Sequence, residues 1–111
     1  ALSTDTSALT AIGNDYGFEY IFSRQLEGLG RPGDILLVLS TSGNSPNIIE
    51  AVKVAREKGM ATIGLLGRSG GQLASLVDLP IIVPSDETPR IQEGHIFIYH
   101  SLCAIVDEKQ W

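Results

Sequence analysis

Ile35-Leu36-Leu37-Val38-Leu39-Ser40-Thr41-Ser42-Gly43-Asn44-Ser45 divides into two parts of opposite chemistry. Residues 35–39 are apolar without interruption and bounded by turn signals. That is the pattern of a strand buried on both faces of a parallel sheet. Residues 40–45 carry four hydroxyls within six positions and lead into an amphipathic run at 45–58. A polar loop between the carboxyl end of a strand and the start of a helix is where open α/β sheets place their ligands. Free backbone amides and the positive end of the helix dipole favour an anion there. The loop has no lysine, so it is not a nucleotide loop of the G-x-x-x-x-G-K-[ST] kind. A sugar monophosphate suits it better than a triphosphate. The plainer reading of Ser, Asn and Gly at these positions is a turn followed by an N-cap.

Outward from this stretch, helix and strand patterns alternate. The run 45–58 turns Ile48, Ile49, Val52 and Ala55 inward and Lys53, Arg56 and Glu57 outward. Pro46 sits in its first turn and Gly59 at its end. A second strand is predicted at 61–66, a short helix near 72–76 and a third strand at 79–83, with Pro80 tolerated near its start or at an edge. Upstream, Phe18, Phe22, Leu26 and Leu29 predict one apolar helical face over 17–29, stopped by Gly30, Pro32 and Gly33. The last helix, 89–108, carries Ile91, Ile96, Phe97, Ile98, Tyr99, Leu102, Cys103, Ile105 and Val106 around most of its circumference. Such a helix needs cover on several sides, a partner subunit included. The alternation predicts an α/β fold, a three-layer parallel sheet with flanking helices of the flavodoxin-like or Rossmann-like kind.

At 111 residues the chain holds one domain, 1–111. Its 43% hydrophobic and 19% charged residues are those of a globular protein, not a disordered one. A net charge of -5 argues against non-specific nucleic-acid binding. Cys103 is the only cysteine, which rules out an intrachain disulfide, and its place in an apolar pattern reads as a core thiol. No stretch approaches a membrane span and no signal segment opens the chain, so a cytoplasmic location is the default expectation. The chain starts at Ala1 without an initiator methionine, and Met60 is its only Met. It reads as a domain whose N-terminal portion is missing.

The loop 39–45 resembles the signature of the sugar-isomerase (SIS) domain. With Ala11-Ile12-Gly13-Asn14-Asp15-Tyr16-Gly17, Phe22-Ser23-Arg24-Gln25 and Arg90-Ile91-Gln92-Glu93-Gly94-His95, the chain is similar to the bacterial phosphoheptose isomerase family. That resemblance implies an aldose–ketose isomerase converting sedoheptulose 7-phosphate to D-glycero-D-manno-heptose 7-phosphate, towards the heptose of lipopolysaccharide. By resemblance, Ser40, Thr41, Ser42 and Ser45 hold the phosphate, and Asn14 and Asp15 contact substrate hydroxyls. Gln92 and His100 lie by the reacting carbons, where the family often carries a zinc ion. His100 matches the catalytic acid/base, and the sites lie between subunits of a homotetramer.

The residues themselves leave alternatives open. A lone histidine such as His100 on an apolar helix is more often a hydrogen-bonded core residue, and His95 falls on the stripe Ile91–His95–Ile98–Leu102. Gln92 and His100 are eight residues apart, about 12 Å along a regular helix. Only a bend or a second subunit brings them to one ion. Asp15 suits a turn equally well, and Asp86 and Glu87 read as a helix start. No His, Cys and carboxylate cluster has metal spacing. The family's N-terminal half, with a Gly-Asn-Gly-Gly-Ser loop and a His and a Glu acting as metal ligand and base, has no counterpart here. A non-catalytic SIS-type module that binds sugar phosphate or another protein, as the replication-initiator-associating type does, is therefore the competing expectation.

Overall fold

The computed structural model describes residues 1–109. Among these, β1 (Ile35–Ser40), β2 (Ala61–Gly67) and β3 (Leu79–Val83) form one parallel sheet in the order β1-β2-β3. The helices are α1 (Thr6–Asp15), α2 (Ser23–Leu29), α3 (Pro46–Glu57), α4 (Leu73–Leu76) and α5 (Thr88–Glu108), with a 3-10 turn at Phe18–Tyr20. The predicted strands and the helices downstream of β1 lie within a residue or so of their expected bounds. Pro80 sits in β3, an edge strand, where its missing N–H costs no ladder bond that a neighbour needs.

One face of the sheet is closed. Leu36, Val38 and Leu66 pack against Ala51, Val52 and Ala55 of α3, Leu26 of α2 and Leu73 of α4. Val52 and Leu66 are fully buried, and each such side chain contributes about 1.5–3 kcal/mol. Over β2 and β3 the other face is covered by α5, with Ile91 fully buried. Gly67 permits that approach, since a Cβ there would stand 2.6 Å from two carbons of Ile91.

Four expectations need correction. Residues 35–39 are not buried on both faces: Ile35, Leu37 and Leu39 are exposed, because α5 does not extend over β1. The single helix over 17–29 is instead a 3-10 turn at Phe18–Tyr20, entered from Gly17 at φ 107, and a separate two-turn helix; Phe18 and Leu29 are exposed. No element was expected before residue 17, yet Thr6–Asp15 form α1, with Asp5 Oδ1 accepting from the Ala8 amide at 3.0 Å. Cys103 is exposed and not a core thiol. It lies on α5, where Phe97, Ile105 and Val106 are also exposed, so among the described residues that apolar surface has no cover.

The start of β2 is fastened to the start of β3 by one carboxylate. Thr62, fully buried, donates its amide and its hydroxyl to Asp78 Oδ2 at 2.8 and 2.9 Å. The Asp78 amide donates back to Thr62 Oγ1 at 2.9 Å. The Thr62 amide, then its hydroxyl, hold the Asp78 carboxyl below its ordinary value of 3.8. A folded-state value below the unfolded one gives stability that is present above the unfolded pKa and is lost as pH falls through the folded pKa. Asp78→Ala should therefore lower the melting temperature by several degrees at neutral pH. In melts taken at successively lower pH, the gap to wild type should narrow once the pH passes below the ordinary carboxylate range.

Candidate functional site

The loop after β1 is shaped by its own hydroxyls and by a second glycine loop. Ser40, 5% exposed, places Oγ 2.8 Å from Ser45 Oγ and accepts from the Gly43 amide at 3.1 Å. Ser42 Oγ accepts from the Asn44 amide at 3.1 Å. Gly43 has φ 68, and a Cβ built on it would overlap the Gly70 carbonyl. Only glycine fits both constraints. Around it, the Leu73 amide donates to Gly43 O at 3.0 Å and the Gln72 amide to Asn44 Oδ1 at 2.9 Å. Residues 70–73 thus hold the loop from outside.

What the loop leaves unused is informative. Ser45 occupies the N-cap position of α3, yet its side chain makes no capping bond, its hydroxyl being paired with Ser40. The amides of Ser42, Ser45 and Asn47 find no partner among the described residues. A helix start with free amides and no capping side chain is an open anion site at the positive end of the dipole. The turn-and-cap reading accounts for Ser40 and Ser42, whose hydroxyls serve the loop. It does not account for Ser45.

A cavity of about 480 Å³ opens beside the loop. Leu39, Ser40, Thr41 and Ser45 form one wall, and Gln92, His95, Ile96 and Tyr99 of α5 form the other. Register explains the meeting: Ser40 pairs with Leu66, and the Leu66 carbonyl lies 2.8 Å from His95 Nε2. No charged side chain lines this cavity. Anion recognition there would rest on N–H groups, hydroxyls and the α3 dipole.

Of the residues singled out in the sequence, Ser40, Thr41, Ser45 and Gln92 come together at the cavity. Ser42 is half-buried and turned to the Asn44 amide. Asn14 and Asp15 are exposed at the end of α1, bonded to one another at 2.8 Å, and do not line the cavity. His100 is exposed and outside it, its ring edge-on to Tyr99 at 4.8 Å. α5 is unbroken from Thr88 to Glu108, so no bend brings His100 to Gln92. Among the described residues no group of three or more His, Cys, Asp or Glu could hold a metal ion.

His95 and Tyr99 were missed as cavity residues, although the signal was present. Gln92, His95, Ile96 and Tyr99 stand at i, i+3, i+4 and i+7, one face of a helix. The stripe was legible; which neighbour it faced was not.

The SIS domain family matches residues 1–67. The chain belongs to the SIS domain family. It is 62% identical over 109 residues to a phosphoheptose isomerase of Geotalea daltonii, covering 98% of this chain and 57% of that protein. It is 59% identical over 108 residues to a phosphoheptose isomerase of Trichlorobacter lovleyi, covering 97% of this chain and 55% of that one. The solved structure of a phosphoheptose isomerase from Neisseria gonorrhoeae superposes with a TM-score of 0.95 at 54% identity, covering 98% of this chain and 61% of that chain. One from Francisella tularensis gives 0.95 at 47% identity, covering 98% and 59%. The chain thus spans somewhat more than half the length of the relatives it matches.

Gly43→Ala tests the loop of this SIS domain directly. The added methyl should push the loop off Gly70 and reduce phosphate affinity at least about tenfold, the loss expected when donors to a charged group are misaligned. Titration calorimetry with inorganic phosphate measures it, with the far-ultraviolet spectrum unchanged.

Proposed function

We propose that this chain supplies the phosphate-binding half of a phosphoheptose isomerase, an enzyme interconverting sedoheptulose 7-phosphate and D-glycero-D-manno-heptose 7-phosphate for heptose and lipopolysaccharide synthesis. The observation that carries the reading is the uncapped start of α3, where free amides and Ser45 border a cavity. Relatives named phosphoheptose isomerase at about 60% identity support the choice of substrate class.

In this reading Ser40, Thr41, Ser42 and Ser45 with the free amides hold the phosphoryl group. Gln92, on the facing wall, contacts the carbon chain. Moving a proton between adjacent carbons through an enediol needs a base and an acid. His100 is proposed for that work, but its place outside the cavity means it acts on a site completed by another copy. The exposed apolar surface of α5, Ile96, Phe97, Ile105 and Val106, supports a homo-oligomer, proposed as a tetramer. Asn14 and Asp15, at the surface, reach substrate hydroxyls only from such an adjoining copy or from the rim. Zinc enters on the same terms: Gln92 and His100 would come from different copies, with further ligands from outside this chain. No helix of the described residues is long and apolar enough to cross a membrane, and a cytoplasmic location is proposed with the activity.

His100, standing apart from the cavity, also suits a non-catalytic sugar-phosphate-binding module, and turnover separates the two. Incubation with sedoheptulose 7-phosphate should yield the aldose isomer. Ser45→Ala should raise KM about tenfold through the lost hydrogen bond to a charged group, and His100→Ala should lower kcat about 10²–10⁴-fold. Saturable binding without turnover in the oligomer would favour the binding module.

A further inference from the structure

We infer that His95 recognises the sugar portion of the ligand, its Nδ1 lone pair accepting a hydrogen bond from a substrate hydroxyl. The inference rests on the phosphate-loop reading above and adds a specificity contact to it. The His95 ring is 3% exposed, with Nε2 2.8 Å from the Leu66 carbonyl oxygen. A carbonyl oxygen can only accept, so Nε2 carries the hydrogen, and in the neutral ring Nδ1 keeps a lone pair. Nδ1 has no hydrogen-bond partner among the described residues. Yet no buried side-chain nitrogen or oxygen among them is left without one. Nδ1 must therefore reach accessible space, and the space that this ring borders is the cavity.

Chemistry decides what meets that lone pair. The terminal oxygens of a phosphate monoester dianion bring no hydrogen, so Nδ1 repels them, whereas the amides and hydroxyls of the loop opposite can donate to them. The hydroxyls of a polyol chain can donate. A sugar phosphate seated with its phosphoryl group at Ser45 and the α3 amides carries its carbon chain towards the α5 wall, where His95 waits as an acceptor. The bond to Leu66, which is paired with Ser40 in the sheet, fixes the distance from ring to loop. His95 thus favours a polyol phosphate over bare phosphate.

The same bond to Leu66 suits a purely structural histidine, so the test must separate the two nitrogens. His95→Gln retains a donor near the Nε2 position and removes the Nδ1 acceptor. Its melting temperature and affinity for inorganic phosphate should match wild type, while sedoheptulose 7-phosphate should bind about tenfold more weakly, the loss expected of one buried hydrogen bond. In wild-type protein with ¹⁵N-labelled imidazole, the His95 Nδ1 resonance should move on adding sedoheptulose 7-phosphate and stay in place with inorganic phosphate. That spectrum decides the matter even where the variant does not fold. A stationary Nδ1 with saturating sugar phosphate, or equal losses for both ligands in a folded variant, overturns the assignment of His95 and leaves the loop reading standing. Failure of wild type to bind either ligand overturns both.

Discussion

The main chain of Gly43 runs so close to the Gly70 carbonyl that no side chain fits between them. With φ 68, Gly43 reverses the chain straight after β1, and its own carbonyl accepts from the Leu73 amide. Two loops from adjacent strands are thereby locked back to back at the carboxyl end of the sheet. Ser40 and Ser42 spend their hydroxyls inside this turn, which frees Ser45 from the loop's own needs apart from its pairing with Ser40. The start of α3 is left open as a consequence. A rigid cradle of unpaired donors binds an anion without first paying the entropy of ordering them.

Legibility in the sequence followed how local the determining physics was. Pro46, Gly59 and the 3.6-residue spacing of Ile48, Ile49, Val52 and Ala55 act within a few residues, and α3 formed where they placed it. Residues 35–39 did form a strand, but burial is not a local property. Leu37 and Leu39 are exposed because no element of the described residues lies over β1 on that side. Phe18 and Leu29 had helical spacing, yet the run divides into a 3-10 turn and α2, and both residues are exposed. In the site, the hydroxyl loop was plain from composition and position. The facing wall was not, since the identity of a neighbour across the sheet depends on register, here Ser40 against Leu66.

The two histidines of α5 show the same division. His95 lay on an apolar stripe and reads as core, which it is, yet its burial is at the edge of a cavity and one nitrogen remains available. His100, which resemblance marks for chemistry, stands about one and a half turns further on and does not line that cavity. Of the two, His95 lines the cavity and His100 does not. The exposed apolar residues on the distal half of α5 offer a physical route to a second copy, because a surface of this kind costs free energy in water until it is covered. In the function proposed above, the phosphate loop is built from the described residues, and His100 serves the chemistry from a site that another copy completes.

The most direct measurement is a phosphate titration followed by amide ¹H–¹⁵N spectra of the protein. Saturable shifts centred on Ser42, Ser45 and Asn47, with the largest downfield movement at those unpaired amides, are what an open helix start predicts. Shifts that never saturate, or that gather elsewhere while these three amides stay still, would contradict it.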